Sequence, residues 1–163
     1  MPKTNASRLL EQLGIPHTLR DYDVDLDDLG AEAVARKVGL PIEQVWKTLL
    51  CRGDDRELGF AVLAGDATLD LKAYARLAGC KSAELVPLRE VQPLTGYVRG
   101  GVTAIGGRKP LPVCVDELVE LYDVVSVSAG VRGTQILLSP ADFLRATAAK
   151  VGAIARLGAG SGA

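Results

Sequence analysis

Two apolar runs stand close together near the middle of the chain, Val45-Trp46-Lys47-Thr48-Leu49-Leu50-Cys51 and Leu58 to Ala64, with Gly53-Asp54-Asp55 between them. Short apolar runs separated by a Gly/Asp cluster predict a β-hairpin, and a hairpin this apolar needs cover from the rest of the fold. The flanking sequence supplies it. Ala6, Leu9, Leu10 and Leu13 recur at helical spacing and Gly14 follows, so residues 5–13 read as an amphipathic helix. Residues 17–22 read as a strand. Ala31, Val34, Ala35 and Val38 repeat the helical pattern as far as Gly39, and Pro41 opens a short turn before the hairpin. Leu69 to Ala78 reads as a helix closed by Gly79.

Beyond it, residues 113–115, 124–128 and 134–138 are short β-branched runs between glycine-containing turns, which predicts strands. Ser139 is placed to cap a helix with Pro140 in its first position, running to about Ala149. Helices and strands are intermixed, so the fold class expected is α+β or mixed α/β, with strand order left open. At 163 residues the chain has single-domain size and buries roughly 70% of its unfolded surface. One domain over residues 1–155 is expected, followed by a small, flexible tail over 156–163.

Several chemistries are disfavoured. No run approaches the roughly 20 apolar residues of a membrane helix, and the first residues lead into no signal-like segment, so the expected compartment is the cytosol, cytoplasmic rather than secreted. Cys51, Cys80 and Cys114 are odd in number and far apart, which suits reduced core thiols. His17 is the sole histidine and no cysteines form a close pair, so neither a structural zinc site nor a His-rich catalytic one assembles. Asp21, Asp23, Asp25, Asp27 and Glu32 have the spacing of a calcium loop, but Leu26 stands where such a loop turns on glycine, and an acidic solvated loop is expected instead. No glycine pattern of a nucleotide-phosphate loop is present. With 19 Lys+Arg against 20 Asp+Glu, the chain lacks the excess that grips long nucleic acids, so any RNA contact should be local or assisted.

Two features retain a chemical reading. Lys47 lies inside an apolar strand, either as an edge-strand lysine that blocks aggregation or as a cationic anchor whose charge is little screened. The turns Gly96-Tyr97-Val98-Arg99-Gly100-Gly101 and Ser128-Ala129-Gly130-Val131-Arg132-Gly133 serve either as tight hairpin turns or as sources of backbone N–H groups for a developing oxyanion. Arg132 is a candidate phosphate contact.

Taken with Ala6-Ser7-Arg8-Leu9-Leu10, Tyr22, Gln44 to Leu50 and Leu69-Asp70-Leu71-Lys72, these turns give the chain a resemblance over nearly its whole length. It resembles the YbaK-type aminoacyl-tRNA deacylases, related to the editing insertion of bacterial prolyl-tRNA synthetases. The resemblance implies a single compact domain, a curled mixed β-sheet or partial barrel surrounded by helices. It also implies hydrolysis of a mischarged amino acid from tRNA without metal or cofactor, cysteine on proline tRNA before others, sometimes together with prolyl-tRNA synthetase. Its motif lysine falls on Lys47, which would hold the terminal ribose or phosphate. Tyr22 and Thr48 line the same pocket, Gly100, Gly101 and Gly130 supply amides near the carbonyl, and Ser128, Arg132 and Gln135 complete the substrate-binding set. Two positions depart from the family: Ala104 stands where its glycine loop often has proline, and Gln135 where some members have an acid, so no general base is available there.

A size difference of about one methylene is worth only about 1–3 kcal/mol, too little to separate cysteine from proline, so attack by the substrate's own thiol would let reactivity supply the selectivity. The alternatives are a deacylase for alanine or another small amino acid, and a non-catalytic module that binds tRNA or a synthetase.

Overall fold

The hairpin forms as predicted and organises everything else. In the computed structural model, which describes residues 4–107 and 110–157, β2 (Trp46–Gly53) pairs antiparallel with β3 (Leu58–Ala64), from Trp46 opposite Ala64 to Arg52 opposite Leu58. On the far side of β3 lies β6 (Val113–Asp116), parallel to it, and then β9 (Lys150–Gly152), parallel to β6. A short strand, β5 (Ala83–Leu85), pairs with β2 only over Cys51–Gly53. The order is therefore β5-β2-β3-β6-β9, a mixed sheet. A second sheet, β1-β8-β7, joins β1 (Thr18–Asp21), β8 (Thr134–Leu138) and β7 (Val125–Ser128), all antiparallel. A bridge between Val45 and Ser126 links it to the start of β2, which bends the combined surface into the curl the resemblance implied. The fold is mixed α+β, one domain.

Helices close the exposed faces. α1 (Asn5–Gln12) begins in a capping box in which Thr4 Oγ1 accepts the Ser7 amide and Ser7 Oγ accepts the Thr4 amide. α2 (Ala31–Val38) ends at Gly39 in the left-handed conformation. α5 (Pro140–Thr147) starts as the sequence predicts, with Ser139 accepting the Asp142 amide and Pro140 in the first turn. At the predicted helix from Leu69, the structure differs by two residues. Leu69 ends a strand, β4 (Ala67–Leu69), and Asp70 caps α3 (Leu71–Ala78) by accepting the Ala73 amide. Between them, α3 and the following β5 lead to α4 (Leu88–Thr95), which carries Pro93 inside it and has no counterpart in the sequence reading. The last strand, β10 (Ala155–Leu157), pairs with β4. Arg156 and Leu157, expected in the tail, are thus in the sheet; residues 158–163 of that expected tail lie outside the described residues.

The main core lies inside the curl, where Trp46, Leu50, Phe60, Val62, Ile136 and Phe143 meet. Each such side chain contributes roughly 1.5–3 kcal/mol by leaving water. A polar clasp fastens the end of the chain to it. Asp116, buried at the end of β6, accepts the amides of Ile154 and Ala155 on Oδ1 at 2.9 and 3.0 Å and that of Leu118 on Oδ2 at 3.2 Å.

Candidate active site

Where the two sheets meet, a cavity of about 500 Å³ opens, within the size range of small-ligand sites. Its floor is Val45 and β2 from Trp46 to Leu50. One wall is the start of α2 with the residues before it, Leu29, Gly30, Ala31 and Val34; the other is Leu85 and Val86 with Leu88 and Val91 of α4. The polar part of the lining comes from Lys47, Thr48, Arg99, Ser128 and Gln135 with the backbone of Gly100.

Lys47 does not behave as a solvated edge residue. Although β5 leaves this part of β2 without a second neighbour, the side chain is half-buried and its Nζ donates to the carbonyls of Gly65 at 3.2 Å and Ala67 at 2.6 Å. An ammonium has three donors, so one is left for a ligand. Burial pulls its pKa below the ordinary lysine value, and the nearby Asp66 charge opposes that pull.

Another part of the rim is built from the two glycine turns, which come from distant parts of the chain and touch. A Cβ on Gly101 would sit 3.2 Å from the Arg132 amide nitrogen and from the backbone of Val131, so only glycine allows this approach without displacement. Arg132 Nε donates to the Arg99 carbonyl at 2.7 Å across the same contact. Gly100 and Gly130 have φ of 85° and 97°, the left-handed region that glycine occupies freely.

The amides of these turns are not all available. Gly101 N–H donates to the Val98 carbonyl and Gly130 N–H to Ser128 Oγ, so the expected donors at Gly101 and Gly130 are engaged within their own turns. Gly100 N–H has no acceptor among the described residues, and Gly100 lines the cavity. On β8, buried Gln135 accepts the Ser126 hydroxyl on Oε1 at 2.7 Å, which leaves its Nε2 as the amide group without a bond to that hydroxyl, and the residue lines the cavity.

Five of the residues singled out by sequence, Lys47, Thr48, Gly100, Ser128 and Gln135, therefore share the cavity wall, while Gly101, Gly130 and Arg132 form the turn contact behind it. Tyr22 stands apart. Its ring packs with Val34, Ala35, Val38 and Val45 on the α2 side, and its amide donates to the Gly133 carbonyl. The cysteines lie elsewhere, and burial pushes the Cys51 thiol up to about 12 and raises that of Cys114, the reverse of nucleophile activation. The acidic segment makes hydrogen bonds within the protein: Asp21 accepts the hydroxyl of Thr134 on β8 and Asp25 the Asp27 amide.

The aminoacyl-tRNA editing domain family matches residues 29–146, a span that includes every residue of the cavity wall. The chain belongs to that family. The editing domain acts as an aminoacyl-tRNA deacylase with tRNA as its substrate, which sets aside the non-catalytic module. It is 38% identical over 145 residues, 89% of this chain and 88% of the other, to EbsC of Enterococcus faecalis, named as a candidate Cys-tRNA(Pro)/Cys-tRNA(Cys) deacylase. It is 31% identical over 118 residues, 70% and 71% of the two chains, to the multifunctional Ser/Thr-tRNA deacylase ProXp-y of Escherichia coli K12. Its structure superposes with a TM-score of 0.80, at 26% identity and covering 96% and 99% of the two chains, on that of a candidate trans-editing enzyme for prolyl-tRNA synthetase. No helix among the described residues is long and apolar enough to cross a membrane.

Sequence reasoning missed the apolar walls of this cavity. Ala31 and Val34 carry the same helical spacing as the core positions of α2, so nothing local distinguishes a residue facing a cavity from one facing the core. Arg99 belongs to the first glycine turn, and only the folded contact with Arg132 shows where it stands.

Proposed function

We propose that the protein clears cysteine from mischarged proline tRNA, by a metal-independent cleavage in which the substrate's own thiol is the nucleophile. One observation carries the reading: among the described residues lining the cavity there is a lysine, a threonine, a serine, a glutamine and a free amide, but no Asp, Glu, His or Cys. Such a wall can hold and polarise an ester, yet its hydroxyls have no Asp, Glu or His beside them in the cavity to take their proton, and Lys47 is already bonded to two carbonyls. A cysteinyl ester supplies the missing group. Its sulfur bonds to the carbonyl carbon, the ester C–O bond breaks, the thiol proton leaves with the ribose oxygen, and water then opens the resulting thiolactone.

In this scheme Lys47, held by Gly65 and Ala67, offers its remaining N–H to the terminal ribose or phosphate. The Gly100 amide and Gln135 Nε2 face the carbonyl oxygen as its charge grows, the Thr48 and Ser128 hydroxyls position the amino acid, and the apolar walls exclude water. The similarity to EbsC supports cysteine, and the likeness to the trans-editing structure supports a working association with prolyl-tRNA synthetase in the cytoplasm.

A second reading has its own support, because ProXp-y is named for serine and threonine. A hydroxyl in place of the thiol would attack less readily, and release would then depend on water. The deciding experiment measures loss of label from cysteinyl-, seryl- and alanyl-tRNA carrying the proline anticodon, with wild type and Lys47→Ala. Fast, lysine-dependent loss of cysteine alone supports the proposal; equal rates for serine or alanine replace it with the small-amino-acid reading; full activity in Lys47→Ala removes the lysine from its role.

A further inference from the structure

A second cleft adjoins the cavity, sharing Leu88, Val91 and Arg99 with it, so the two form one continuous depression. Its chemistry is different. The chain as a whole has a formal charge of −1, yet this cleft is lined by Arg89, Arg99 and Arg132 and by no acidic residue. Among the described residues none of the three arginines has a carboxylate partner, whereas Arg36, Arg52, Arg145 and Arg156 all do. Three arginines lining one cleft without counter-charge give it a positive potential, an arrangement suited to a ligand bearing several anionic oxygens. Arg132 is also pre-aimed, since its Nε bond to the Arg99 carbonyl fixes the guanidinium plane and leaves its outer N–H groups for another partner. Tyr97, half-buried on the same cleft, adds an aromatic surface of the kind on which unpaired bases stack.

We propose that this cleft binds the single-stranded 3′ end of the tRNA immediately upstream of the ester, with Arg89, Arg99 and Arg132 on successive phosphodiesters and a base against Tyr97. The inference rests on the proposed function in one respect, that the terminal nucleoside and its amino acid occupy the first cavity. It explains how a protein without net positive charge engages a polyanion: the cations are concentrated where a few nucleotides pass, and the rest of the tRNA needs little contact.

The test uses an uncharged, 5′-labelled RNA hairpin ending in a single-stranded ACCA overhang, titrated by fluorescence anisotropy at several KCl concentrations against wild type and Arg89→Ala/Arg99→Ala. Both side chains are exposed, so the fold should survive; Arg89→Glu alone serves if the double variant unfolds. Each phosphate contact on a single strand contributes about 0.7 to the slope of log Kd against log salt, so the double variant should lose about 1.4 of slope and bind at least about tenfold more weakly at low salt. A blunt hairpin should show no such difference. Unchanged slope, or the same loss on the blunt hairpin, overturns the cleft. Deacylation by wild type is followed in the same buffer: activity with an unchanged slope removes the cleft and leaves the proposed function standing, while a slope change with no activity on any charged tRNA does the reverse.

Discussion

Replacing Asp116 by alanine removes the acceptor of three backbone amides at once, and the structure allows the cost to be worked out. Hydrogen bonds to a charged acceptor contribute about 1.5–3 kcal/mol each, so a plain sum would run to about 5–9 kcal/mol. The three donors are not equivalent, however. Ile154 is fully buried and its N–H would remain unpaired, at about 1–3 kcal/mol, whereas Leu118 and Ala155 are only half-buried and water can reach them at about 1 kcal/mol each. The expected loss is thus about 3–5 kcal/mol, or about 6–20 °C in Tm for a domain of this size. Asp116→Asn keeps an oxygen for the Ile154 and Ala155 amides and sets an NH2 against Leu118 N–H, so it should cost about 1–2 kcal/mol. Urea denaturation of wild type and both variants reads these values directly. An alanine variant within about 1 kcal/mol of wild type, or an asparagine variant as damaged as the alanine one, would refute the clasp as an energetic feature.

Two further outcomes follow from the site. Burial lowers the pKa of Lys47 while the unfolded chain keeps the ordinary value of 10.5, so between the lowered value and 10.5 the lysine by itself contributes a rise of stability with pH, opposed above the ordinary thiol value of 9.0 by the buried Cys51 and Cys114 thiols, whose raised pKa values act in the reverse sense. Lys47→Met should abolish that rise and be no less stable than wild type near neutrality while losing deacylation; pH-dependent chemical denaturation checks the first, and an identical pH slope in both proteins would contradict it. Gly101→Ala forces a Cβ against the backbone of Val131 and Arg132, so the two turns must part by a few tenths of an ångström, which should cost about 1–3 kcal/mol and lower kcat/KM about tenfold or more. Steady-state kinetics beside a melting curve separate the two effects.

The parts of the fold that were legible in the sequence are those whose signal is local. The hairpin, the start of α5 at Ser139-Pro140 and the end of α2 at Gly39 each depend on residues a few positions apart. β5, β9 and β10 are three residues long and hold charged residues such as Glu84, Lys150 and Arg156; they are strands because partners far along the chain pair with them, as Cys114 does with Lys150. α4 was hidden for a related reason, since Pro93 breaks the pattern that marks a helix. The site divides in the same way. Lys47 is conspicuous as a cation in an apolar strand and Gly101 as part of a glycine pair, but that the Gly101 and Gly130 amides are already bonded, that Tyr22 faces α2, and that Arg89 and Arg99 flank the cavity depend on distances no sequence pattern encodes.

The carbonyls that grip Lys47 belong to Gly65 and Ala67, on either side of Asp66 in the tight connection from β3 to β4. That connection is itself wedged in place: a Cβ on Gly65 would fall 2.7 Å from the Ala31 Cβ and 2.8 Å from the Val45 carbonyl oxygen. Two residues that line no part of the cavity thus act as a gunsight for the ammonium, and the hairpin register, carried by the β2–β3 pairs, does not depend on them. Lengthening the connection by one residue would keep the β2–β3 pairing and re-aim the ammonium within the cavity. On the role proposed for Lys47, a lineage of such domains therefore has a way to redirect its cation while every side chain lining the cavity stays the same.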